Sequence, residues 1–177
     1  MKNSPLLRAR PRCSVARTLE IVGERWTLLV LREAFYGQRR FDDLLTGVGC
    51  ARNILTERLV TLVDEGVLRR VPYQDAGQRP RFEYRLTRKG IELFPIVIAL
   101  MDWGDRWLQD RSGPPVEVRH RGCGASVHVE LRCAKGHGGL GAHDTEPVAA
   151  RGVRVPKRAA ARPLALGRHA PRDTPSE

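Results

Sequence analysis

"CARNILTERLVTLVDEGVL", Cys50–Leu68, keeps one apolar stripe through Leu55, Leu59, Leu62 and Val63, the spacing of a helix with one face against a core. Gly66 is placed to end that helix and Val67 to open an extended segment. At about 100° per residue, Asn53, Thr56, Glu57 and Val60 fall on the side away from the leucines, with Arg52 at the flank and the N-terminal end. A helix that only filled a core would have little use for this polar start, yet surface helices also begin this way. Within the stretch alone, a solvated face and a binding face stay equally open.

Working outward, "SVARTLEIVG" spaces Val15, Leu19 and Val22 as a short helix, with Ser14 available as N-cap and Gly23 as a stop. "GERWTLLVLREAFYGQRRF" predicts a second helix that ends at Gly37, with Trp26, Leu29, Val30 and Phe35 or their neighbours turned inward. "RFDDLLTGV" reads as a short helical turn, and Gly47 and Gly49 separate it from the opening stretch. Beyond Gly66, "VLRRVPYQ" and "RFEYRLT" alternate on either side of "DAGQRP", which predicts an antiparallel hairpin with Arg79 and Arg81 near its tip. Thr87 then caps a long apolar helix to about Asp110, kinked but not ended by Pro95.

The chain has 177 residues, with 31 basic against 20 acidic, a formal charge of +11. That balance favours a polyanionic partner, nucleic acid first and an anionic membrane surface second, although Arg richness can also reflect coding bias. No run approaches the roughly 20 apolar residues of a membrane span, and "MKNSPLLRARPRC" lacks a signal-peptide core, so the expectation is a cytoplasmic protein without a membrane partner. The four cysteines, Cys13, Cys50, Cys123 and Cys133, are too few and too unevenly placed for a disulfide scaffold.

Three helices, a hairpin and a further helix make the order of a winged helix-turn-helix domain, mainly α with a small β-hairpin. In that arrangement the Cys50–Leu68 helix enters the major groove and the hairpin rides on the backbone. Arg52 can donate a fork to guanine and Asn53 can bridge the edge of adenine. Thr56 can offer a hydroxyl to phosphate or a methyl to thymine, and Glu57 can accept from cytosine or pair with a neighbouring Arg. Val60 shares their face, and Arg79 and Arg81 suit phosphate or the minor groove.

At this point "CSVARTLEIVGERWTLLVLREAFYGQRRFDDL", "ARNILTERLVTLVDEGVL", "RPRFEYRLTRKG" and "LMDWGDRW", in that order, resemble the HxlR-type family of winged-helix regulators, related in fold to MarR-like proteins. The resemblance runs from about Cys13 to Leu108 and implies a non-enzymatic homodimer that binds an operator in double-stranded DNA as a repressor or activator. It also implies that the long helix, around Ile96, Leu100, Trp103 and Trp107, helps bury the dimer contact; a helix buried within one chain is the alternative. Some members of the family sense electrophiles or oxidants through a cysteine just ahead of the first helix, where Cys13 stands. Arg10, Arg12 and Arg17 lie near it in sequence, and cations and a helix N-terminus both favour a thiolate.

The expected organisation is a basic arm over 1–12, a winged helix-turn-helix DNA-binding and dimerisation domain over 13–112, a small Cys/His-containing β appendage over 113–143 and a disordered basic tail over 144–177. In the appendage, His120, Cys123, Cys133 and His137 could give four ligands to a structural zinc, although no cofactor is required by the DNA-binding reading. Some relatives carry a Cys-x-x-Cys pair where this chain lacks the second cysteine and has His137 one position later. A hairpin without metal is the alternative. Two other functions compete: a protein interaction module that does not touch DNA, and a zinc-dependent enzyme, for which no Glu or Asp stands in a catalytic pattern with the two pairs.

Overall fold

The first described helix, α1, spans Ser14–Val22 and stops where the Gly23 N–H donates to the Leu19 carbonyl. The computed structural model describes residues 13–108 and 113–148; the basic arm 1–12 and most of the tail expected over 144–177 lie outside the described residues. Val22 alone of α1 is buried, whereas Val15 and Leu19 are exposed. Helix α2, Arg25–Phe35, supplies the centre of the core through Val30 and Leu31, both 0% exposed.

"RFDDLLTGV" forms more than a turn. Helix α3 spans Phe41–Val48, with Asp42 and Asp43 in its first turn, where the positive end of the helix dipole favours acidic groups. Gly49 ends it in the left-handed conformation, but Gly47 lies inside the helix instead of separating two helices. Its role is close packing. A Cβ at Gly47 would run into the carboxylate of Glu33 on α2, whose side chain is nearly buried and pairs with Arg32. Arg32 in turn donates to the Gly47 carbonyl at 2.9 Å, so one guanidinium ties α2 to α3.

Helix α4 spans Arg52–Asp64, and Leu55, Leu59 and Leu62 are buried in the core with Leu44 and Val48 of α3. Gly66, at φ 65°, ends it: the Gly66 N–H donates to the Val63 carbonyl and the Val67 N–H to the Leu62 carbonyl, which satisfies two carbonyls the helix leaves open.

Strands β1, Leu68–Tyr73, and β2, Arg81–Leu86, pair antiparallel from Leu68 with Leu86 to Tyr73 with Arg81. Thr87 closes the base of this hairpin. Its N–H and hydroxyl both reach the Val67 carbonyl, the hydroxyl also lies 2.6 Å from the Gly66 carbonyl, and its oxygen accepts from the Gly90 N–H.

The single kinked helix expected after Thr87 is two helices, α5 at Arg88–Ile91 and α6 at Phe94–Trp107. Proline is the physical reason. Pro95 has no N–H for the carbonyl four residues earlier, that of Ile91, where α5 ends; in the first turn of a new helix that N–H would have no helical partner anyway. Val97 and Ile98 face the core, and the Phe94 ring lies 5.0 Å from that of Phe35 on α2.

Residues 113–146 belong to the same compact unit as the helices, Ser14–Glu146. Of the β appendage expected over 113–143, the described residues form one isolated antiparallel bridge, Arg119 with Ser126. The intervening segment folds into a tight loop closed by the His120 N–H on the Ala125 carbonyl, and its glycines leave too few strand-forming residues to extend the pairing. Asp102 on α6 accepts from the Val129 N–H at 3.1 Å.

Replacing Gly47 by Ala tests the close packing of α2 on α3. Alanine gains about 1 kcal/mol over glycine in an open helix, but here its methyl must displace the Glu33 carboxylate. We expect Gly47→Ala to lose on the order of 1–2 kcal/mol net, seen as a lower urea midpoint with an unchanged slope. A raised midpoint would show that Glu33 moves aside freely.

Candidate nucleic-acid interface

The row of buried leucines fixes which side of α4 is left outside. Leu55, Leu59 and Leu62 are 0%, 1% and 0% exposed, whereas Arg52, Asn53, Thr56, Glu57 and Val60 are all exposed on the other side. Each fully buried leucine contributes about 1.5–3 kcal/mol, so rolling the helix to hide the polar row would be prohibitive. The side that the sequence reading places away from the leucines is the exposed side of α4.

The structure adds the chemical state of each group. Arg52 is the first residue of α4; it lies 3.2 Å from Asp42 of α3, and its guanidinium carbon is 4.9 Å from the centre of the Phe41 ring. The Thr56 hydroxyl donates to the Arg52 carbonyl at 2.9 Å, so its methyl group and oxygen lone pairs are what it can offer outward. Glu57 stands 3.4 Å from Arg58, the pairing weighed against cytosine contact. Among the described residues, Asn53 forms no side-chain hydrogen bond.

The wing is anchored by residues the sequence reading did not assign. The Arg39 carbonyl accepts from the Tyr84 N–H at 2.8 Å, and Arg40 forms an isolated bridge with Glu83, so the segment before α3 lies along β2. Arg40 also forks onto both carboxylate oxygens of Asp75, at 3.0 and 3.1 Å, and stacks 4.5 Å over the Tyr73 ring. Doubled arginine bonds of this kind fix geometry as well as charge. Arg81 begins β2 opposite Tyr73, while Arg79 is exposed in the loop beyond, around Gly77 at φ 74°. Arg69 and Arg70 on β1 add two exposed cations. The doubled arginines of "QRRF" and "LRRV" were the available signal for both findings.

Of the other candidates, Cys13 is a free, partly exposed thiol one residue before α1, and Cys50 is a free thiol packed at the edge of the core. His120 and Cys123 lie 3.3 Å apart through Nδ1 and Sγ, as do Cys133 and His137 at 3.4 Å. The two pairs do not meet: among the described residues no three His, Cys, Asp or Glu side chains gather as a metal site. Each pair sits in its own tight loop, and the expected single four-donor arrangement becomes two separate two-donor arrangements. Beside the second loop, hydrogen bonds from Arg132 and from the Gly139 N–H hold the Glu130 carboxyl below its usual pKa.

A helix that buries one face and presents the other beside an arginine-bearing hairpin defines a winged helix-turn-helix DNA-binding protein. Comparison with known proteins agrees and narrows it: the chain belongs to the HxlR-like helix-turn-helix family, which matches residues 21–112. It is 46% identical over 140 residues to the uncharacterized HTH-type transcriptional regulator Rv3095 of Mycobacterium tuberculosis, covering 79% of this chain and 82% of that one. It is 39% identical over 101 residues to an uncharacterized HTH-type transcriptional regulator of Synechocystis, covering 56% of this chain and 73% of the relative. Among solved structures it is similar to PA1607, described as a candidate transcription factor, with a TM-score of 0.70, 36% identity, and coverage of 80% of this chain and 98% of that one. Among the described residues no helix is long and apolar enough to cross a membrane.

The division of α4 into a holding face and a free face has a direct consequence for stability. Asn53→Ala should change unfolding free energy by less than about 0.5 kcal/mol, whereas Leu59→Ala should cost about 2–5 kcal/mol. Urea denaturation of the two variants distinguishes them, and similar losses for both would place Asn53 in the core.

Proposed function

We propose that this regulator binds a two-fold symmetric operator in double-stranded DNA as a homodimer, with α4 in the major groove and the wing on the adjacent backbone. The observation that carries the reading is the free face of α4: Arg52, Asn53, Thr56, Glu57 and Val60 stand exposed together while the helix is held from behind by three buried leucines. Arg52 and Asn53 have the donor and acceptor geometry to read base edges, and Arg79 and Arg81 the charge to hold phosphates. No chemical step on a substrate enters this function.

The dimer part is supported by α6. Val97 and Ile98 already fill the core, yet Ile96, Leu100, Trp103 and Trp107 form a second row, 42%, 51%, 57% and 63% exposed. Val15 and Leu19 on α1 are exposed as well. Large apolar side chains left in water along a helix face suit association with another copy. Sensing at Cys13 belongs to the same proposal as a chemical capacity: a free, accessible thiol immediately before a helix.

Selection of bound DNA from a random pool, at two salt concentrations, tests the proposal. A symmetric site should be enriched, with affinity falling steeply as salt rises; absence of any enrichment would sink the DNA reading. On the selected site Asn53→Ala should cost about 1–3 kcal/mol and relax preference at one base pair. A uniform loss on all sequences would assign Asn53 to phosphate. Cys13→Ser should bind the same site but no longer respond to a quinone or peroxide, and an undiminished response excludes Cys13.

Oligomeric state is tested separately. Sedimentation of a Leu100→Asp, Trp103→Asp double variant should shift a dimer toward a folded monomer, with the helical circular dichroism retained. A variant that sediments like the parent places the interface elsewhere.

A further inference from the structure

Asp42 stands beside the start of α4 as an exposed carboxylate, its side chain 68% accessible. On a surface that meets phosphates such a group opposes binding, because like charges repel and cations supply the affinity. Its place in the first turn of α3 offers one use, since the positive end of that helix favours an anion. Asp43 lies in the same turn, is exposed as well, and meets that need. Asp42 has a partner that Asp43 lacks among the described residues: its Oδ1 accepts from Nη2 of Arg52 at 3.2 Å. Exposed ion pairs add little to stability, so what matters about this one is where it holds Arg52.

Arg52 is held from two directions. Asp42 takes one N–H, and the Phe41 ring lies 4.9 Å from the guanidinium carbon. Both groups come from the first turn of α3, whose place is fixed by buried Leu44 and Val48. A guanidinium carries its N–H groups on forked edges, and a single bond to Asp42 leaves one fork whole. By contrast, neither Arg79 nor Arg81 has a carboxylate within ion-pair distance among the described residues. An unheld guanidinium follows the nearest phosphate, which carries no sequence information, whereas a held one keeps its fork for the two acceptors of guanine. Ordering a long side chain beforehand also lowers the entropy lost on contact.

We propose that Asp42 is a specificity-determining residue of the DNA interface: it positions Arg52 to read one guanine in each half-site, while lowering the overall affinity for phosphate. This deepens the DNA-binding reading above and rests on it.

Selection from a random duplex pool, run in parallel with the parent, Arg52→Ala, Asp42→Ala and Asp43→Ala, tests the assignment. The parent should enrich a site in which one base pair per half-site loses its guanine preference with Arg52→Ala. Fluorescence anisotropy then compares duplexes carrying guanine or adenine at that position. The preference of Asp42→Ala should be reduced about tenfold, with binding to the unselected pool about twofold tighter. Asp43→Ala removes the same charge from the same turn; it should bind the pool tighter by a similar factor and keep the guanine preference. Helical circular dichroism checks that each variant is folded, and Asp42→Glu, which retains a carboxylate, should restore most of the preference. The assignment is overturned if Asp42→Ala keeps the full guanine preference, or if Asp43→Ala loses as much of it, which would make the effect one of charge alone. A selected site with no guanine that depends on Arg52 also overturns it and leaves the DNA-binding reading standing, whereas a parent that enriches nothing removes that reading itself.

Discussion

Burial of Leu55, Leu59 and Leu62 is the constraint on which the rest of the molecule depends. Three leucines at helical spacing can be hidden only in one rotation of α4, and that rotation decides what faces outward. The core they enter is built from α2 and α3, whose relative position is set by a close approach at Gly47 and by Arg32 reaching across to the Gly47 carbonyl. The outward face is thus a product of packing behind it. No exposed residue has to enforce its own orientation.

The same economy holds for the wing. A two-stranded hairpin standing alone is marginal in water, and this one is secured at three places: the Arg39 carbonyl on β2, the Arg40 fork on Asp75, and Thr87 at the base. Exposed ion pairs are individually weak; their contribution here is direction. Arg40 holds the loop from the side of α3, so the arginines of the hairpin keep a fixed relation to the start of α4, which follows α3 directly in the chain.

Periodicity carried most of this fold. The leucine row of α4, the alternation of β1 and β2, the Thr87 cap and the left-handed stop at Gly66 are local patterns, each enforced within a few residues, and the exposed row of α4 follows from them. What stayed hidden depends on contacts distant in sequence. Gly47 read as a separator because glycine punctuates loops, but its use is proximity to Glu33, which no local pattern encodes. Pro95 read as a kink because the apolar rhythm continues past it; the backbone restarts nonetheless, since rhythm reports burial and not hydrogen-bond continuity. The Cys and His pairs had permissible spacing, yet spacing within each pair says nothing about the distance between the pairs.

Thr87 joins three parts of the chain at a single side chain: the end of α4 through the Gly66 carbonyl, the first residue of the wing segment through Val67, and the start of α5 through the Gly90 N–H. Gly90 lies so close to the Val67 carbonyl that no Cβ could be interposed. There is consequently little slack between the end of α4, the base of the wing and the start of α5. One hydroxyl thereby couples these three parts, so that the pitch of the wing cannot change without the end of α4 and the start of α5 changing with it.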